Sequence, residues 1–127
     1  MNETKSNPLK EKSYAFAIKI VRLSQDLVSN RKEYVLSKQV LRSGTAIGAL
    51  IREGEFAASK ADFINKFTVS LKEANETEFW LMLLKDTDYI DHESFIELHS
   101  QCKELISMLV SSIKTTKQRL NLNDKNK

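Results

Sequence analysis

From Phe63 onward, apolar and small residues recur at alternating spacings of four and three: Phe67, Ser70, Ala74, Thr77, Leu81 and Leu84. This is the seam of one long helix packed in a bundle. Its small middle positions admit a close neighbour, while the Phe and Leu residues fill the two ends. Ser59, with Asp62 three residues on, supplies the N-terminal cap, and the helix is expected to end near Lys85.

The same reading predicts three more helices. The first spans about Lys10 to Ser29. At about 100° per residue, Tyr14, Ala17, Ile18, Val21 and Val28 form one apolar arc, and Phe16, Ile20, Leu23 and Leu27 form an adjoining one. Together they exceed what one bundle core needs. The second arc is therefore expected to meet other subunits. A polar turn at Asn30, Arg31 and Lys32 leads to the second helix, roughly Glu33 to Ala57, striped by Leu36, Val40, Ile47, Leu50 and Ile51. Gly44 and Gly48 interrupt that stripe. An interior glycine costs about 1 kcal/mol relative to alanine, so close approach by another helix is expected there. Asp91 caps the fourth helix, which runs along Phe95, Leu98, Cys102, Leu105, Leu109 and Ile113 to about Leu120. Four amphipathic helices joined by short turns read as an all-α, antiparallel up-down-up-down four-helix bundle over residues 10–120, with residues 1–9 and 121–127 as a disordered leader and tail.

Composition supports this and little else. The 127 residues are 41% hydrophobic and 29% charged, with three Gly and one Pro, enough for one core in one domain. No apolar run approaches the roughly 20 residues that cross a bilayer, and the polar start resembles no secretion signal, which points to the cytoplasm and away from membranes. Net charge is only +3. Its distribution is uneven: residues 1–32 hold seven basic and three acidic side chains, residues 114–127 five and one, and residues 59–90 four and six.

Catalytic patterns are missing. A di-iron bundle needs paired Glu-x-x-His motifs, and neither His92 nor His99 follows a glutamate at that spacing. Neither has an Arg four to six residues upstream, as helical-bundle ribonucleases often do. His99 and Cys102 supply too few ligands for a structural metal, and Cys102 reads as a small buried hydrophobe. Glu73, Glu76 and Glu78 point in different directions on a helix, so they form no acid–base pair. Glu78, beside the seam, reads as half of a structural ion pair with an Arg or Lys of a neighbouring helix. No catalytic residue, metal, cofactor or small-molecule substrate is assigned.

The second helix carries the best basic line in the chain. Lys38, Arg42, Thr45, Ala49, Arg52 and Phe56 share one outer band, with Arg31 and Lys32 in the preceding turn. Either these cations contact nucleic-acid phosphates, or Arg42 and Arg52 pair with acids of an adjoining helix or subunit.

The stretches from Glu33 to Ala49, Arg52 to Glu55, Ser59 to Ile64 and Leu71 to Glu78 resemble the bacterial 23S rRNA intervening-sequence protein family, generically called four helix bundle proteins. The match covers roughly Tyr14 to Lys117. The family's Arg-Ser pair is met at Arg42 and Ser43, and its Glu-Gly element at Glu53 and Gly54. Leu50 stands where relatives usually carry Asn, so no role for that amide is carried over. More distantly, the chain resembles the accessory variability proteins of diversity-generating retroelements. The resemblance implies a bundle assembled as a pentameric barrel, with a basic surface for RNA or DNA and no enzymatic activity. The expectation is thus a homo-oligomer that binds structured RNA or other nucleic acid through Arg31, Lys32, Lys38, Arg42 and Arg52. The alternative is a protein-interaction scaffold that never touches nucleic acid.

Overall fold

Asn7 accepts a hydrogen bond from the Lys10 amide at 3.1 Å, and Pro8 takes the first helical position, where its missing N–H is no loss. The first helix therefore starts two residues earlier than expected. The computed structural model describes residues 7–125 as four helices: α1 (Pro8–Ser29), α2 (Val35–Glu55), α3 (Lys60–Asp86) and α4 (His92–Lys125). No strand occurs among the described residues. Of the expected leader, residues 1–6 lie outside the described residues, and Asn7 to Leu9 form the cap and first turn. Of the expected tail, residues 121–125 continue α4, and residues 126–127 lie outside the described residues.

The caps act where the sequence places them. The Asp62 amide donates to Ser59 Oγ at 3.1 Å, while the Asp62 carboxylate reaches back to the Ala58 amide at 3.3 Å. Asp91 accepts from the Ser94 amide at 2.8 Å. At the other end of α1, the chain turns through Lys32 in the left-handed region, at φ 56°. The Arg31 guanidinium donates to the carbonyl oxygens of Asp88 and Tyr89 at 2.9 and 3.0 Å, tying the α1–α2 turn to the α3–α4 turn.

Each helix packs closely on the next in sequence, and α1 and α4 meet less intimately. Along every neighbouring pair the contacts run in reverse order. Lys10 pairs with Glu55 at 3.3 Å, whereas Ser24 bonds Ser37 at 2.7 Å. Thr77 donates to Ser43 at 2.9 Å and Ser70 to the Ile47 carbonyl at 2.9 Å. Between α3 and α4, the Cys102 thiol meets the Ala74 carbonyl at 3.3 Å and His99 meets Glu78 at 2.8 Å.

The α3 seam is buried as its spacing predicts, from Phe67 to Leu84, with half-buried Phe63 against Phe67 at 4.0 Å between ring centroids. Gly44 and Gly48 of α2 face α1, and Gly54 faces Phe67 of α3. A Cβ on Gly44 would lie 2.8 Å from Ile20 Cγ2, and one on Gly48 would lie 3.3 Å from Ser13 Oγ. The approach is as close as those glycines imply.

One expectation is overturned. Phe16, Ile20 and Leu27, assigned above to an oligomer interface, are at most 1% exposed inside a single protomer, and Leu23 packs partly buried against the same core. The core row of α1 is Leu9, Ser13, Phe16, Ile20, Ser24 and Leu27. Two serines interrupt it and disguise it in the sequence. Both are satisfied locally: Ser13 donates to the Lys10 carbonyl at 3.1 Å, and Ser24 bonds Ser37.

Candidate self-association and nucleic-acid surface

Turning that row inward leaves the other apolar arc outside. Tyr14 is 61% exposed, Ile18 40%, and Val21 and Val28 38% each. With Gln25 they repeat at spacings of four and three, so the exposed stripe has the register of a helix-packing seam. Isolated exposed apolar residues are ordinary, but a continuous row at seam spacing is not. The adjoining surface of α2 is made of small side chains. Tyr14, Ala17, Thr45, Gly48, Ala49 and Arg52 line a shallow cleft of about 270 Å³ between the two helices. Phe56, at the end of α2, is 82% exposed.

The five basic residues singled out above do not act as one group. Arg31 is committed to the two carbonyls of the α3–α4 turn and lies 5.0 Å from the Tyr89 ring centroid. Arg42 donates to both Glu73 oxygens, at 3.2 and 3.3 Å, and to Glu76. For Arg42, pairing with an adjoining helix is the alternative that holds. The Glu76 carboxyl is held below its ordinary range, first by the hydrogen bond from the Trp80 indole at 3.0 Å and then by Arg42. Lys32 donates to the Ser29 carbonyl at 3.0 Å and remains exposed. Lys38 and Arg52 are exposed and make no ion pair among the described residues. The Arg52 guanidinium sits 5.9 Å from the Tyr14 ring centroid. Arg52 thus borders the exposed stripe at Tyr14 and lines the α1–α2 cleft beside it.

The groups with potential chemistry meet around Glu78, between α3 and α4. Burial pushes the Cys102 thiol up to about 12, with Glu78 adding to the effect. Such a thiol is inert packing. His99 bonds Glu78 and stacks on Phe95 at 4.9 Å, and Lys103 approaches the same carboxylate at 3.6 Å. Glu78 is thus paired across helices as expected, with a histidine as its nearer partner. Among the described residues, no three His, Cys, Asp or Glu side chains gather as a metal site requires. No helix among them is long and apolar enough to cross a membrane.

A family model described as 23S rRNA-intervening sequence protein matches residues 5–111. The chain belongs to this family. It is 54% identical to a protein of unknown function from the S23 ribosomal protein family of Bacteroides thetaiotaomicron VPI-5482, known from a crystal structure. The alignment covers 84% of this chain and 98% of that one, with a TM-score of 0.83. No curated protein matches the chain. In this family member, the sequence missed which α1 arc stays outside. The cue lay in Ser13 and Ser24, which mark the row that α2 approaches.

Proposed function

We propose that the protein is a cytoplasmic, non-enzymatic homo-oligomer that binds structured RNA or other nucleic acid. The reversed contact order along each helix pair supports an antiparallel up-down-up-down bundle as its protomer. The observation that carries the reading is the exposed seam Tyr14, Ile18, Val21 and Val28, bordered at Tyr14 by Arg52, which makes no ion pair among the described residues. A second copy covers the seam. Five copies is the number that the family resemblance implies. One protomer, at net charge +3, has little pull on a polyanion. Several held by symmetry present their cations together, and the second and later contacts then form at high effective concentration.

Affinity for a labelled structured RNA should fall steeply as salt rises from about 50 to 200 mM, because each neutralised phosphate releases counterions. Affinity that does not change over that range would exclude phosphate contact. The same RNA should stay intact when incubated with the protein, with or without divalent metal; cleavage would overturn the non-enzymatic reading. The exposed seam also suits a scaffold that seats a different protein. A monomer in solution that retains no nucleic acid would favour that alternative.

A further inference from the structure

We propose that the C-terminal end of α4, together with the start of α3, is a contact surface for the phosphate backbone of a polynucleotide, with Lys114, Lys117 and Arg119 of α4 and Lys60 of α3 as the contacting cations. This rests on the nucleic-acid reading above and assigns it a second surface, outside the α1 stripe and its cleft.

The first support is the length of α4. It continues to Lys125 through a polar stretch in which the sequence alone suggests a frayed tail. Lys114, Lys117 and Arg119 therefore stand within the helix rather than at its end, and all three are exposed. Lys114 and Lys117 lie about 60° apart around the axis. Arg119 turns over the α2–α3 connection, where it lines an open cleft of about 380 Å³ with Lys60, Ser59, Thr116 and Glu55.

The second support is the charge left over. Lys10, Lys12, Lys19, Arg42 and Lys66 each face a carboxylate within 4 Å. Lys60, Lys114, Lys117 and Arg119 face none among residues 7–121. Glu55, the carboxylate in the cleft, is already engaged by Lys10 at 3.3 Å and by the Asn7 side-chain Nδ2 at 2.7 Å. The α4 dipole favours cations only within the last turn of the helix, which ends at Lys125, so it does not account for Lys114, Lys117 and Arg119. Nor does a dipole account for Lys60. As the first residue of α3, Lys60 stands where a cation is disfavoured, and it shares a cleft with another cation. The partner proposed for them is an anion from outside.

The chemistry of that anion follows from the layout. Four cations spread around a helix end do not converge on one point, so a repeating row of phosphates fits them better than a single ion. Lys114, Thr115, Lys117, Gln118, Arg119 and Asn121 are exposed and include no large apolar side chain, so this side of α4 has nothing to insert into a bilayer.

The test uses the full chain and a fluorescein-labelled hairpin, as RNA and as DNA of the same sequence, with anisotropy read between about 50 and 200 mM KCl. The variant K114Q/K117Q/R119Q should bind at least tenfold more weakly, with the slope of log affinity against log salt shallower by about 2 to 3. K60Q alone, at an exposed position that leaves α4 untouched, should lose about threefold. A control of equal charge change, K19Q/K72Q/K85Q, should stay within threefold of the wild type, and RNA and DNA should behave alike. If the wild type binds but the end variant stays within threefold of it, or the control falls as far, this inference is overturned and the broader nucleic-acid reading stands. If the wild type binds neither hairpin, both fall. Binding by the wild type to vesicles of phosphatidylcholine and phosphatidylserine, without binding to either hairpin, would also overturn it.

Discussion

Arg42 illustrates what single residues can hide: its place on the basic band is plain in the sequence, but the fold matches its charge with Glu73 and Glu76. Glu76 makes that arrangement testable by pH. A carboxylate whose folded value is depressed adds stability above its ordinary value, here 4.5, and loses it as pH falls through the lower folded value. The urea midpoint should therefore drop on acidification below about 4.5, and Glu76→Gln should reduce that drop; an unchanged acid profile in the variant would contradict the assignment. The glycines give a second residue-scale prediction. Gly44→Ala drives a methyl onto Ile20 at 2.8 Å, and overpacking of this kind costs about 1–3 kcal/mol. At Gly48 the nearest atom is 3.3 Å away, and the helix-propensity gain of about 1 kcal/mol offsets most of the crowding. Chemical denaturation should rank Gly44→Ala clearly below Gly48→Ala in stability, and equal stabilities would refute the close α1–α2 approach. Cys102 was legible as a buried hydrophobe because it sits in an apolar helical row, and the structure places it at 0% exposure.

At the scale of elements, α3 was the most readable. Its spacing alternates without a break and its cap is local, so neither depends on tertiary context. Ser59→Ala should cost about 1 kcal/mol, measured as a fall in unfolding free energy, and no change would mean that the Ser59 to Asp62 bond does not hold the α3 start. In α1 the periodicity announces two apolar arcs but cannot say which one faces the core. That choice belongs to the partner helix: Gly44 lets α2 descend onto Ile20, and Ser24 and Ser37 satisfy each other once inside, so a row containing polar atoms is buried in preference to one made of Tyr, Ile and Val. The far end of α4 was illegible for the opposite reason. Once the helix is formed, each further residue adds a backbone hydrogen bond without needing an apolar partner, and a polar extension then leaves no periodic trace.

For the whole molecule, the proposed assembly transfers the interface from the buried arc to the one that turned outward, Tyr14, Ile18, Val21 and Val28. Two-fold pairing would bring this stripe against itself, whereas a ring must set it against a different patch of the next copy. In either case two charged side chains in the middle of the stripe should break the assembly while sparing the protomer, because the core row centres about 120° away around α1. The bundle's helical circular dichroism should survive Ile18→Glu/Val21→Glu, whereas Ile20→Glu should unfold it. The most direct test of the central claim is the mass in solution by sedimentation equilibrium at micromolar concentration. The protein should weigh several times its 14.6 kDa protomer, and Ile18→Glu/Val21→Glu should return it to the protomer mass. A wild-type protein that stays at 14.6 kDa with its stripe in water would contradict the account.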